Sequence, residues 1–411
     1  MLGSLVACAP TYAPMHVTVE TGAAPQLLAV RDATSTGWRG VATAGTTAFD
    51  LVVSGPYEVV VRCAPRFEGV ESVTVYARSP SDPPLLDASC AAPVPPSLTV
   101  SGTLVEPGQI ALGHTGDFSE NPDWSFALQL APGTYDLVLF QDESFSTPEQ
   151  IALRRDLKLT GDLDLGTLDV AQEPGHAVVE TRFAAPSLLP GEQLSPSLEL
   201  RTATTTAFLP ASLELPLGKD VPDAWRVPLV PDAALRPTDR QTVSLAALST
   251  STIDGIIHGS LRLAARDIRV GDTAGLTLPE PLAPIAFDMA RHRITAAWSS
   301  LGNYTDVLLT YLSQGSGNLP GRGYALLLSR NYIEDVGMAG ATLDLTGVPG
   351  LSEDWQIDPA RWALRELDVI QGDLDDPRAA WGVLEAPMLQ PVTVPRRGTM
   401  IRWSSPVHRM L

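Results

Sequence analysis

Phe126-Ala127-Leu128-Gln129-Leu130-Ala131-Pro132-Gly133-Thr134-Tyr135-Asp136-Leu137-Val138-Leu139 decides the fold class of this chain. Phe126, Leu128 and Leu130 alternate with Ala127 and Gln129, the two-residue period of a strand that buries one face. Ala131-Pro132-Gly133-Thr134 interrupts that period with turn chemistry, proline fixing φ and glycine opening positive φ. A second strand then opens on Tyr135, so the segment reads as a hairpin. The same device stands earlier, where Phe49-Asp50-Leu51-Val52-Val53 and Tyr57-Glu58-Val59-Val60-Val61-Arg62-Cys63 flank Ser54-Gly55-Pro56. Pieces of this kind predict an all-β chain, organised as tandem β-sandwich modules joined by Pro-rich linkers.

Composition agrees. The 411 residues include 36 prolines and 33 glycines, few long helical patterns, and 44 % hydrophobic residues, enough for real cores. Length alone suggests about three domains at roughly 100–200 residues each. The net charge of −19 argues against nucleic acid and against adhesion to anionic lipid through a basic patch. Lys158 and Lys219 are the only lysines; Arg396, Arg397, Arg402 and Arg409 read as a solvated edge. No run approaches the ~18 apolar residues of a transmembrane helix.

Punctuation divides the chain into 1–14, a tether; 15–92; 97–172; 174–284; and 285–411. Pro93-Val94-Pro95-Pro96 and Pro279-Glu280-Pro281-Leu282-Ala283-Pro284 are the linkers, the first expected in extended polyproline II. Ser197-Leu198-Glu199-Leu200, Ser212-Leu213-Glu214-Leu215 and Ser260-Leu261-Arg262-Leu263 alternate as strands of the larger third module. Arg293 to Trp298 and Asp306 to Tyr311 read as a strand pair in the last. Asp358-Pro359 suits either the start of a short helix through Leu367 or an alternating strand.

Leu5-Val6-Ala7-Cys8 resembles the bacterial lipobox, in which the cysteine is lipidated and becomes the mature N-terminus. Only four residues precede it and none is basic, so the resemblance places the true start upstream, with Met1 to Ala7 ending the apolar region. Ala9-Pro10-Thr11-Tyr12-Ala13-Pro14 then serves as a spacer. The resemblance implies an exported protein anchored to the cell envelope, at the outer membrane or cell surface. In that compartment Cys63 and Cys90, the other two cysteines, read as a disulfide contributing roughly 3–4 kcal/mol; the alternative is two buried thiols. Val100-Ser101-Gly102-Thr103, the Pro132 to Leu137 turn and Leu163-Asp164-Leu165-Gly166-Thr167-Leu168-Asp169 resemble the carboxypeptidase regulatory-like, prealbumin-type β-sandwich. The Arg293 to Tyr311 region resembles the Trp-bearing strand of a fibronectin type III-like module. Such modules are usually non-catalytic.

Catalytic signatures are missing. The sequence holds no H-E-x-x-H, C-x-x-C, G-x-S-x-G or Gly-Lys-Ser phosphate loop. His16, His114, His176, His258, His292 and His408 are dispersed and read as surface or turn residues. Asp162/Asp164 and Asp373/Asp375/Asp376 carry oxygen ligands suited to Ca²⁺, against an alternating strand and a turn respectively. Five of eight tryptophans, Trp298, Trp355, Trp362, Trp381 and Trp403, fall in the last module with Tyr304, Tyr311, Tyr324 and Tyr332. Exposed, they would stack on a sugar ring; buried, they anchor a core. The expectation is therefore a non-catalytic envelope lipoprotein with a structural, adhesion or binding role and no cofactor, whose partners are the membrane and an envelope protein or glycan. The alternatives are a glycan-binding or glycan-processing accessory protein and a spacer subunit of an envelope assembly.

Overall fold

A computed structural model describes residues 12–63, 70–88, 90, 97–113, 115–118, 124–141, 148–173, 175–214, 222–253, 256–272, 275–278, 280, 286–290, 293–297, 306–313, 321–337, 340–352, 355, 362–371 and 400–408. The chain is all-β apart from one short helix and one 3-10 turn among these residues. The first strands are β1 (Pro14–Glu20), β2 (Leu27–Asp32), β3 (Arg39–Val41), β4 (Ala48–Ser54), β5 (Tyr57–Arg62), β6 (Val70–Arg78) and β7 (Leu85–Asp87). Next come β8 (Leu98–Leu104), β9 (Gly108–Leu112), β10 (Thr115–Phe118), β11 (Ser125–Leu130), β12 (Gly133–Gln141), β13 (Gln150–Leu159), β14 (Leu163–Leu168) and β15 (Gly175–Ala177). They are followed by β16 (Val179–Ala184), β17 (Gln193–Arg201), β18 (Thr206–Pro210), β19 (Ser212–Glu214), β20 (Ala224–Leu229), β21 (Arg240–Ile253) and β22 (Ile256–Asp267). Last are β23 (Ala286–Ala290), β24 (Arg293–Ala297), β25 (Asp306–Ser313), β26 (Gly321–Ser329), α1 (Arg330–Val336), β27 (Gly340–Asp344), β28 (Trp362–Gln371) and β29 (Met400–His408). Residues 358–367 thus take the strand alternative from Trp362 onward. Pro93–Pro96 and most of 279–284, the expected linkers, lie outside the described residues.

The described residues fall into two compact units. One draws on Met1–Pro93, Leu282–Val369 and Ser404–Leu411, the other on Val94–Pro281 and Ile370–Trp403.

In the first unit, strands run in the order β25-β26-β6-β5-β2-β3. β6 pairs antiparallel with β5 on one side and parallel with β26 on the other, from Val70↔Gly321 to Ala77↔Leu328. The unbroken Val59-Val60-Val61 run of β5 is buried on both sides, as expected of a strand covered on both faces of its sheet. One face carries Ala29, Val60, Val73, Val75, Leu326 and Leu328 against Tyr332 and Ile333 of α1 and against Leu345, Val348 and Trp355. A three-stranded sheet, β4-β1-β7, buries Val17, Val19, Phe49, Leu51 and Leu86 in the strict alternation of a one-sided sheet. The helix begins where the Ser329 hydroxyl accepts the Tyr332 amide at 3.1 Å and ends at Gly337, φ 67°. The sequence division gives 15–92 and 285–411 separate cores, whereas here both stretches feed one sheet and one apolar cluster.

The second unit contains a sandwich of β11-β8-β14 against β10-β9-β12-β13-β15, filled by Val100, Ile110, Leu112, Phe126, Leu128, Leu137 and Leu139. Opposite residues of the larger sheet, Ala111, Val138, Phe140, Ile151 and Leu153, join a second cluster with Leu198, Leu200, Trp225, Val227, Val243 and Leu245. That cluster is bounded by the β18-β17-β21-β22 strands and by β16-β20-β19. Residues 97–172 and 175–278 therefore share a core across one sheet. Trp225 is fully buried, stacks on Phe183 at 4.8 Å and donates its indole N–H to the Ala184 carbonyl at 3.3 Å.

Three local expectations are corrected. The Pro132-Gly133 segment is not a hairpin, because β11 pairs with β8 while β12 pairs with β9 and β13. The Gly55-Pro56 turn likewise carries the chain between sheets, β4 pairing with β1 and β5 with β2 and β6. At Pro132-Gly133 the turn is a corner: Phe126, Leu128 and Leu130 before it and Leu137 and Leu139 after it enter one core from facing sheets, a geometry that residue period alone does not distinguish from a hairpin. Nor are β24 and β25 a pair, since β24 lies between β23 and β27 and β25 beside β26.

Gly55 needs its glycine twice over. Its φ is 74°, and a Cβ there would sit 2.5 Å from the Tyr12 ring. Gly55→Ala is expected to destabilise the first unit by about 2 kcal/mol from the left-handed backbone and the ring clash together, measured as a lower urea midpoint at unchanged slope. The Ser54 amide beside it donates to Asp32 at 2.9 Å. Burial raises the Asp32 pKa, but hydrogen bonds from Thr34, Ser54 and Ser35 together hold it below the ordinary carboxylate value.

Candidate functional site

The densest polar constellation in the second unit is built on an irregularity of β12. Pairing with β13 shifts register between Tyr135 and Leu137, and Asp156 opposite takes φ 59°. This bulge turns Asp136 inward, where the Asp156 amide donates to its Oδ1 at 3.0 Å. Arg155 donates through Nη1 to Asp136 Oδ2 at 3.0 Å and through Nη2 to Asp239 Oδ2 at 2.7 Å. Both aspartates are buried, and the Arg155 side chain is only 16 % exposed. Arg236 closes the outside with two bonds to Asp156 at 3.0 and 2.6 Å. Its guanidinium holds the Asp156 carboxyl below the usual range.

A threonine loop completes the site. Thr204 Oγ1 accepts the Asp136 amide at 2.8 Å, Thr205 donates its hydroxyl to the Asp136 carbonyl, and Gly113 N–H donates to Thr205 Oγ1 at 2.9 Å. Asp136 and Arg155 come from one half of the unit, Thr204, Thr205, Arg236 and Asp239 from the other. The arrangement therefore fixes 97–172 to 175–278 by charge-assisted bonds with little access to water.

The first unit has a comparable cluster. Asp82 accepts the Ser329 hydroxyl, the Asn331 amide at 2.7 Å and the Ser79 N–H at 2.8 Å, while Ser79 donates its hydroxyl to Asp335. Tyr332 donates its hydroxyl to Glu58 at 2.8 Å, and Glu58 also pairs with Arg31, whose guanidinium lies 4.3 Å from the Trp38 ring centre. Burial, then the Glu58 charge, pushes the Tyr332 hydroxyl far above its ordinary value. Burial likewise pushes Tyr57 up to about 12. Both phenols stay neutral at physiological pH, Tyr332 as a fixed donor to Glu58 and Tyr57 as core surface.

On the outer strands Glu214 accepts from Arg182 at 2.9 Å and from Arg226, which also pairs with Glu180. The hydrogen bond from Arg182, followed by that from Arg226, holds Glu214 down at about 2. A depressed carboxylate stabilises the fold above its unfolded value and loses that contribution as pH falls through the folded one. Glu214 is thus expected to stay ionised at pH 3, read as an unshifted side-chain carboxyl resonance between pH 7 and 3. Arg182→Gln should bring its titration back toward 4.5.

The sequence candidates distribute as follows. Cys63 and Cys90 form a disulfide, Cα atoms 5.1 Å apart. Trp355 is a core residue, 3 % exposed, set edge-on to Tyr324 at 5.6 Å and covered by the Arg62 guanidinium at 4.9 Å. That placement withdraws Trp355 from any sugar-stacking surface. Trp362 lies on β28 and Trp403 on β29. Cys8, Trp298, Trp381, Asp373, Asp375 and Asp376 lie outside the described residues. Asp162 accepts the Thr99 amide at 2.8 Å and Asp164 the Gly166 amide at 2.9 Å, which are turn and strand-end roles. Among the described residues no three His, Cys, Asp or Glu side chains gather as a metal site. His16 pairs with Asp50 at 3.1 Å on an exposed face. No protein-family profile matches the chain, and comparison with curated proteins gives no significant match.

Arg155, Asp136 and Asp239 escaped the sequence reading. Their pairings span up to 84 residues and leave no local spacing; the one visible trace was Asp136 standing inside the alternating Tyr135 to Leu139 strand.

Proposed function

We propose that the protein is a non-catalytic lipoprotein of the bacterial cell envelope, anchored through Cys8 and serving a structural, adhesion or binding role. The observation that carries this reading is the Cys63–Cys90 disulfide. Such bonds persist in oxidising compartments and are rare in the cytosol. The one remaining cysteine is Cys8, at the end of Leu5-Val6-Ala7-Cys8. The charge of −19 supports a body that stays clear of anionic headgroups. The Arg155 and Asp82 clusters support a structural role as well, since their polar groups are spent on joining distant stretches of chain.

The test is the mass of the N-terminal peptide after expression with native upstream DNA in a related bacterial host. A diacyl or triacyl adduct on Cys8 is expected. A free thiol at Cys8, or an intact Met1, removes the anchor and with it the envelope assignment.

A further inference from the structure

We infer that residues 12–90 and 306–355 are two halves of a single folding unit, in which β26 is the strand that completes the sheet begun by the first half. Three kinds of observation converge. The backbone comes first: β5 occupies one edge of β6, and the other edge is filled by β26 over eight consecutive pairs. Without β26 that edge is a row of unpaired N–H and C=O groups.

The apolar face is equally incomplete in either half. Val60, Val73, Val75 and Ala77 share one cluster with Tyr324, Leu326 and Leu328, which flank them in the sheet, and with Tyr332 and Ile333 of α1, which pack against that face, so each half shields the other from water. Polar satisfaction also crosses the divide. Asp82 receives Ser329 and Asn331, and Glu58 receives Tyr332, side chains as far as 274 residues away. Separated, the halves leave carboxylates, a phenol and an apolar sheet face without the partners that offset their burial.

The consequence is an order of events. The first half emerges early in synthesis but holds an open β6 edge until the chain has passed through 94–281 and supplied β26. Opening must likewise be shared, because exposing β6 and exposing β26 are one event.

Hydrogen exchange of the full chain, disulfide intact, tests this. Leu326→Ala, at a position 2 % exposed on β26, is expected to accelerate exchange of Val307 and Ala325–Leu328 by on the order of 100-fold. Val59–Val61 and Val73–Ala77, more than two hundred residues earlier (roughly the span of the intervening chain), should accelerate by the same factor. Val75→Ala should do the reverse, loosening β26 as much as β6. Acceleration confined to the half that carries the substitution overturns the inference. Should Leu326→Ala fail to fold, wild-type exchange in graded urea decides: one common opening curve for both halves is expected, and two distinct curves overturn it.

Discussion

Arg155→Met is expected to lower the unfolding free energy of the second unit by about 3–5 kcal/mol. The substitution keeps most of the side chain's length and apolar stem but removes the cation between Asp136 and Asp239, both buried. Each carboxylate loses its charge-assisted bond in a site that water barely reaches, and the cost is the uncompensated burial of two negative charges. The measurement is a urea titration followed by tryptophan fluorescence, with the contribution of Trp225 in the shared core taken as the difference from the same titration of Trp225→Phe chains. Adding Asp136→Asn and Asp239→Asn to Arg155→Met should recover a large part of the loss, because neutral amides in place of carboxylates remove the repulsion. If Arg155→Met alone costs under 1 kcal/mol, the site is hydrated and the Arg155 ion pairs do not hold the two halves of the unit together.

The second large effect belongs to the disulfide. Replacing Cys63 and Cys90 by serine opens a loop with a sequence separation of 27 and is expected to cost the first unit about 3–4 kcal/mol through the entropy regained by the unfolded chain. The bond joins the end of β5, in the larger sheet, to the residues following β7, in the smaller one, where Cys90 also donates its amide to the Thr21 carbonyl at 2.7 Å. Losing it therefore weakens the joint between two sheets as well as enlarging the unfolded ensemble. Reduction of the wild-type chain should lower the urea midpoint as much as the double substitution does. A smaller shift on reduction would mean that part of the serine effect comes from placing two hydroxyls in the Cys63 and Cys90 environments.

Much of the all-β character was legible in single strands. The alternation of Phe126, Leu128 and Leu130 is a local property and appears as expected, whereas Val60, on the opposite side of the strand from Tyr57, Val59 and Val61, is buried as well, which a one-sided alternation does not foresee. Partnership is different in kind. Whether Pro132-Gly133 folds a strand back on its neighbour or sends it to the facing sheet depends on where β8 and β9 lie, and no residue in the turn records that. The parallel pairing of β6 with β26 is similarly invisible, since a strand pattern carries no address for its partner. The helix at Arg330 is too short for a periodic signal and rests on the Ser329 cap and on packing. Trp355 shows the limit for sites: its surplus in the composition suggested a surface, yet the Arg62 guanidinium and Tyr324 ring enclose it.

The direction of β6 against β26 also has a mechanical meaning. Because the two strands are parallel, a pull toward the N-terminus on β6 and toward the C-terminus on β26 slides one along the other. The rungs of the ladder are then loaded together rather than peeled one at a time. With the Cys63–Cys90 bond reduced, so that β6 lies in the path of the force, a chain stretched between its two ends should give one high rupture peak for that ladder, with lower peaks where antiparallel strands such as β21 and β22 part at a shared end. With the bond intact the force bypasses residues 64–89 and β6 is not loaded along its length.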